Sequence, residues 1–145
     1  MTQEDKELLL QDLCARLPYK VMVNYNGLAR PLFNISPTQH FQITLDNALD
    51  GEHNGLVYVS LDVDGEKPKP YLRPMSSMTE EEKKEFDNFC VIDEFAWRGN
   101  SEIGYKNQAI IMSDAIDWLN VHHFDYHGLI PKGFALEAPK GMYKN

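Results

Sequence analysis

The stretch Val21-Met22-Val23-Asn24-Tyr25-Asn26-Gly27-Leu28-Ala29-Arg30-Pro31-Leu32-Phe33-Asn34-Ile35 decides the fold class. Val21 to Tyr25 is rich in residues that favour extended backbone. Asn26-Gly27 is the strongest short-range hairpin signal, because both central positions of the tight turn need left-handed backbone. Leu28 to Ile35 is the return strand. Pro31 has no N–H to give to a ladder, so this strand is expected at a sheet edge or with a bulge. Ser36-Pro37 then turns the chain.

Further strands lie downstream. Phe41 to Leu45 alternates as a half-buried strand does. Asp46 to Gly55 is rich in Asp, Asn and Gly and reads as a loop or short helical turn. Leu56 to Val63 is the clearest strand; its apolar residues run together early and alternate late, which predicts burial of one end on both faces. Lys67 to Pro74 carries three prolines and reads as a stiff, extended crossing over the surface, poor in ladder bonds. Val91 to Trp97 and Ala109 to Met112 are short candidate strands. Phe134 to Glu137 is a closing strand, and Pro139 to Asn145 a tail.

Three segments read as helices. The first is capped by Thr2, with Glu4 and Asp5 suited to the dipole. Its apolar stripe is Leu9, Leu10, Leu13, Cys14 and Leu17, and Pro18 ends it. Cys14 reads there as a small core residue. The second opens on a capping box, Thr79 with Glu82. Its apolar face is only Phe86, Phe89 and Cys90, and the run Glu80 to Glu82 reads as a solvated face. The third starts at Ser113 or Asp114 and buries Ala115, Trp118 and Leu119, with His122 closing the stripe. The fold expected is α+β: a curved antiparallel sheet of about five or six strands with two or three helices on one face or end, a barrel-like closure being the variant. Residues 1–145 read as a single domain.

Composition narrows the class. The chain has 145 residues, 43% hydrophobic and 11% aromatic, which suits a folded domain with its own core. Its net charge of −8 disfavours generic nucleic-acid binding. Nothing in the sequence requires a disulfide between its two cysteines, Cys14 and Cys90. No apolar run reaches the roughly 18 residues of a membrane span, and the acidic N-terminus is the reverse of a secretory signal. A cytoplasmic protein without membrane contact is expected.

Polar chemistry and apolar bulk are crowded together in one place, Asp117 to Gly133, which holds three of the five histidines. Leu8 to Tyr25, Pro70 to Phe86 and above all Asp117 to Tyr143 resemble a family of small uncharacterised proteins common in gut bacterial genomes. Many of these are encoded near prophage and conjugative-element genes. The blocks that carry the likeness are Tyr71-Leu72-Arg73-Pro74-Met75-Ser76-Ser77-Met78-Thr79-Glu80-Glu81-Glu82, Trp118-Leu119-Asn120-Val121-His122-His123-Phe124-Asp125-Tyr126 and Gly128-Leu129-Ile130-Pro131-Lys132-Gly133, followed by Ala135-Leu136-Glu137-Ala138-Pro139. The likeness covers about half the chain; Asn26 to Lys69 and Asn88 to Met112 match poorly. It implies a shared fold and a mobile-element context, and no activity. Relatives often carry Arg where this chain has His127, which weakens a mechanism that needs an imidazole there.

His122, His123, Asp125 and His127 are zinc-ligand types. Adjacent His122 and His123 point about 100° apart on a helix, and no His-Glu-x-x-His pattern or Cys pair supports them, so no metal is expected. No nucleophile elbow or glycine-rich phosphate loop is present, so no cofactor is expected and an enzyme is the lesser reading. Were the chain an enzyme, a hydrolase or nuclease, His122, His123 and Asp125 would be its catalytic candidates. An acidic inhibitor mimicking nucleic acid is the third reading. The structural reading makes the segment a clasp: His122 satisfies backbone carbonyls, Asp125 caps a turn, and Phe124, Tyr126, Leu129 and Ile130 anchor the loop. The favoured function is a non-catalytic binding or accessory protein of a mobile element, acting through protein–protein contact. Its expected binding residues are His123, Tyr126, His127 and Lys132, with Tyr71 and Arg73 beside them.

Overall fold

The computed structural model describes residues 1–36, 42–46, 56–62, 65–89 and 112–143. Helix α1 (Gln3–Arg16) opens on a capping box: Thr2 Oγ1 accepts from the Asp5 N–H at 3.1 Å, and Asp5 accepts from the Thr2 N–H at 3.0 Å. Leu9 and Leu13 are fully buried. Arg16 and Asp12 are also 0% exposed, so the inner face of α1 is half greasy and half ionic. Cys14 is exposed and is not a core residue. It stands one position past Leu13, roughly 100° around the helix, which turns it away from the sheet. Pro18 sits in a single 3-10 turn, Leu17–Tyr19, that ends the helix.

The hairpin follows as expected. Strands β1 (Met22–Tyr25) and β2 (Leu28–Ser36) pair antiparallel around Asn26 and Gly27, whose φ values are 55° and 77°. β2 is interior, however, because β3 (Gln42–Leu45) pairs along its other side. The ladder slips between Leu32 and Asn34, just past Pro31, whose carbonyl accepts from the Asp46 N–H while its ring nitrogen returns nothing. The proline is thus accommodated by an irregularity and not by an edge.

β4 (Val57–Ser60) pairs antiparallel with β3 in unbroken register. It is not buried on both faces: Val59 is buried, whereas Tyr58 is 62% exposed. β5 (Lys69–Leu72) is the proline-rich stretch. It does not cross the surface; it lies inside the sheet, antiparallel to β1 with Val23 opposite Pro70, and buries Pro68, Pro70 and Leu72. β6 (Leu136–Glu137) pairs parallel with β5. Among the described residues the order is β4-β3-β2-β1-β5-β6, a six-stranded mixed sheet that is not closed into a barrel. The fold class is α+β, with one parallel pair where an all-antiparallel sheet was expected.

One face of this sheet takes α1: Leu9, Leu10 and Leu13 pack with Val21, Val23, Leu32, Ile43, Leu45, Val59 and Leu72. Each such side chain fully withdrawn from water contributes about 1.5–3 kcal/mol. A second cluster joins α2 (Glu80–Phe89) to α3 (residues 112–121): Met78, Trp118, Leu119 and Phe124, flanked by Phe86 and Tyr126. α3 is already helical at Met112, so Ser113 and Asp114 lie within it and not at its N-cap. The expectations for Val91 to Trp97, for Ala109 to Ile111, for Cys90 and for most of Asp46 to Gly55 fall outside the described residues. No described helix is long and apolar enough to cross a membrane.

Candidate functional site

The histidine-rich segment begins where α3 ends, and the ending explains much of it. Phe124 N–H donates to Leu119 O at 2.9 Å and His123 N–H to Asn120 O at 3.1 Å, with His123 at φ 62°. This is a Schellman motif with histidine in the left-handed position that usually belongs to glycine. Leu119 and Phe124, the apolar pair such a motif brings together, share the second core cluster. The strained backbone at His123 throws the next residues back across the sheet. There Arg73 N–H donates to His123 O and Asp125 N–H to Arg73 O, both at 2.8 Å, which ties the segment to the end of β5.

Phe124, fully buried, is gripped from two sides. The Arg73 guanidinium lies 4.2 Å over its ring and Trp118 stacks near it at 5.7 Å. Its carbonyl accepts from Arg16 Nη2 at 2.5 Å. Each arginine is itself forked onto a carboxylate. Arg16 donates to both oxygens of Asp12 at 2.6 and 3.1 Å, and Arg73 to both oxygens of Glu82 at 2.8 and 2.7 Å. Glu82 also closes the capping box of α2, accepting from the Thr79 N–H at 3.0 Å. The Arg73 bonds first, and the Thr79 bonds after them, hold its carboxyl down to about 2 against the opposing effect of burial. Glu82 is therefore buried and bonded, unlike the solvated face expected of the acidic run.

Asp125, Tyr126 and His127 are hydrogen-bonded within the fold, whereas the Nδ1 atoms of His122 and His123 have no hydrogen-bond partner among the described residues. Asp125 accepts from the Leu129 and Ile130 N–H groups at 2.8 and 2.9 Å, capping a turn as expected. Tyr126 donates to Asn120 Oδ1 at 2.8 Å. His127 Nδ1 meets Asp12 Oδ2 at 2.7 Å. His123 is 7% exposed and stacks on Tyr143 at 3.6 Å. Burial, and then the positive charge of Arg16, push its imidazole down to about 4, so it is neutral near pH 7. His122 lies against Trp118 at 4.2 Å, 3.8 Å from Glu82. Its Nδ1 has no hydrogen-bond partner among the described residues, so the expected bond to a backbone carbonyl is not made.

The catalytic candidates are thus not assembled. His123 faces Tyr143, His122 faces Trp118 and Glu82, and Asp125 faces backbone. Among the described residues no group of three or more metal-ligating side chains converges. Of the expected binding residues, His123 and Arg73 are spent on internal contacts, and the Tyr71 hydroxyl accepts from Asn24 at 2.8 Å. Tyr126 and His127 are half-buried, and Lys132 is exposed.

Three contributors were not legible in the sequence. Asp12 and Arg16 hid in an apolar helix, although their i, i+4 spacing was a usable signal. Tyr143 sat in the supposed tail, yet its hydroxyl accepts from the Met22 N–H at 2.9 Å and donates to Tyr71 O at 2.7 Å. No local signal marked it.

Beside the tip of the segment lies a cleft of about 450 Å³, lined by Met1, Asn24, Lys69, Gly133, Phe134 and Leu136 among others. Compared with known proteins, the chain matches no family model, no curated protein and no solved structure. Fold and site together define an α+β protein whose histidine-rich segment is tied to α1, α3, β5 and Tyr143.

Proposed function

We propose that the chain is a non-catalytic accessory protein that binds another protein, in the mobile-element setting its sequence resemblance implies. The observation that carries this reading is the internal engagement of every catalytic candidate: Asp125 on backbone N–H groups, His123 on Tyr143, His122 on Trp118. A general acid or base must reach a substrate proton in an open pocket, and the burial of His123 and Asp125 against internal partners speaks against that role. What the clasp holds out to solvent is its tip, Pro131-Lys132-Gly133.

The tip borders the cleft of about 450 Å³. Pro68, Phe134 and Leu136 supply apolar wall, Lys67 and Lys69 stand in the lining with Glu66, and Lys132 immediately precedes the lining residue Gly133. Neither Lys69 nor Lys132 is in an ion pair among the described residues. In a chain of net charge −8 this is locally basic ground, suited to a partner segment that mixes carboxylates with apolar side chains. The test is titration of a labelled peptide alternating Glu and Leu, with a Lys/Leu peptide as control. The Glu/Leu peptide is expected to bind, and Lys69→Glu with Lys132→Glu to abolish binding while leaving Tm unchanged. Equal binding of both peptides, or binding indifferent to the charge reversal, overturns the reading.

A further inference from the structure

The histidines of the late segment sit in three different settings. His123 is 7% exposed against Tyr143, with Nδ1 unpartnered. His122 lies on Trp118, also with Nδ1 unpartnered. Of the three, only His127 has a ring nitrogen within hydrogen-bond distance of a carboxylate: Nδ1 meets Asp12 Oδ2 at 2.7 Å. No described residue bonds its Nε2, and the side chain is 22% exposed.

The neighbours of Asp12 decide where the ring hydrogen sits. Asp12 is fully buried and forked by two Arg16 nitrogens, so it stands there as the carboxylate and only accepts. Nδ1 therefore carries the hydrogen, and in the neutral ring the lone pair is on Nε2, the uncommitted nitrogen. The anchor is firm, because Arg16 also holds the Phe124 carbonyl. A ring held this way is built as a nucleophile. Its tautomer is fixed, its lone pair faces away from the anchor, and a negative group behind it stabilises the charge gained when Nε2 forms a bond.

The surroundings narrow the chemistry. A metal needs further ligands, and among the described residues no three ligating side chains converge. Proton transfer on a small substrate needs a pocket. His127 lines neither the cleft beside Lys69 nor a second one beside Tyr143. Group transfer from another protein needs neither, since the donor's own surface encloses the ring and one projecting atom has to reach.

We propose that His127 Nε2 is a phosphoryl-acceptor site, loaded from a donor of the phosphoramidate class such as the phosphohistidine of another protein. The Nε2 lone pair attacks phosphorus, and the donor's P–N bond breaks. The donor nitrogen leaves with the bond pair as a neutral amine or imidazole. The acceptor ring ends as the Nε2-phosphorylated cation, its hydrogen still on Nδ1 against Asp12. An arginine at this position, expected in relatives, would pair with Asp12 but not accept the group, so the site is particular to this chain. The inference does not rest on the cleft near Lys132, and either can fail without the other.

The experiment is reaction of the folded protein with potassium phosphoramidate at neutral pH, followed by intact mass and peptide mapping. His127 is expected to gain an acid-labile phosphate about tenfold faster than His40, His53 or His122, the rate effect of one hydrogen bond to a charged group. His127→Gln should remove the fast phase with circular dichroism unchanged, and unfolding in urea should erase the advantage of His127. Phosphorus–nitrogen couplings in labelled protein should place the phosphate on Nε2. A peptide carrying preformed phosphohistidine should load the same atom. The tautomer is read without any variant, from long-range proton–nitrogen spectra: in the neutral ring Nδ1 should be protonated and Nε2 bare. Loading of His127 no faster than the other histidines, attachment at Nδ1, or the opposite tautomer overturns the proposal. Loading by phosphoramidate but not by the peptide overturns the choice of donor.

Discussion

Asp12 and His127 stand 115 positions apart in the chain and meet at 2.7 Å, Oδ2 to Nδ1. The same carboxylate is forked by Arg16, and Arg16 in turn holds the carbonyl of Phe124. One buried acid in the first helix therefore anchors the histidine-rich segment at two points. Removing it leaves the Arg16 guanidinium, 0% exposed, without its counter-charge. Asp12→Ala is expected to lower the urea unfolding free energy by about 3–5 kcal/mol, the usual cost of breaking a buried pair from one side. Asp12→Leu with Arg16→Met should lose less than the single variant. A single variant within about 0.5 kcal/mol of the parent contradicts this account.

Acid should loosen the fold in two overlapping steps. In the unfolded chain His123 takes up its proton near 6.5, but in the folded chain only near 4. Between those values the unfolded state binds more protons, so stability is full above 6.5 and falls as pH drops towards 4. Glu82 repeats the pattern lower down, from 4.5 in the unfolded chain to about 2 in the folded one. Urea midpoints at pH 7, 5 and 3 should therefore fall in order. His123→Asn tolerates the left-handed backbone and has no imidazole, so it should flatten the upper step alone. An unchanged slope between pH 6.5 and 4 in that variant rules His123 out as its source.

Tyr143→Phe deletes one oxygen and leaves two backbone groups, Met22 N–H and Tyr71 C=O, without their partner. A loss of about 1–3 kcal/mol is expected. Burial pushes the phenol up to about 12, so the folded chain keeps the proton that the unfolded chain releases near 10. Stability should accordingly fall as pH rises from 10 towards 12, and Tyr143→Phe should remove that part of the alkaline limb. Thermal melts at pH 8, 10 and 11 measure both effects.

Cys14 is exposed on the outer side of α1, and partial burial raises its thiol pKa. It should be labelled by maleimide in the native protein, slowly, because little thiolate is present at pH 7. The rate should rise with pH and should not depend on added urea below the unfolding transition. Labelling only after unfolding would return Cys14 to the core.

Much of the fold was legible because it follows from short-range rules. Asn26-Gly27 demands left-handed backbone, Thr2 with Asp5 and Thr79 with Glu82 cap their helices, and Asp125 caps its own turn. Each involves residues within five positions of one another. The errors share an opposite cause. Three prolines made Lys67 to Pro74 look unfit for a ladder, yet β5 sits between two strands because its side chains fill the space beside Val23 and Leu136. The helical stripe enrolled Cys14 and passed over Asp12 and Arg16, because periodicity reports which side is inward but not whether a partner charge waits there.

The sequence by itself determined the first two helices, the hairpin, the helix caps and the crowding of histidines with aromatics, since these depend on backbone propensity and neighbouring residues. Only the tertiary structure decided what the histidines do. Their environments are set by Asp12, Tyr143 and Glu82, which arrive from elements far away in the chain. The strand order was decided there too, because which strands become neighbours depends on packing across the whole sheet and on no local pattern.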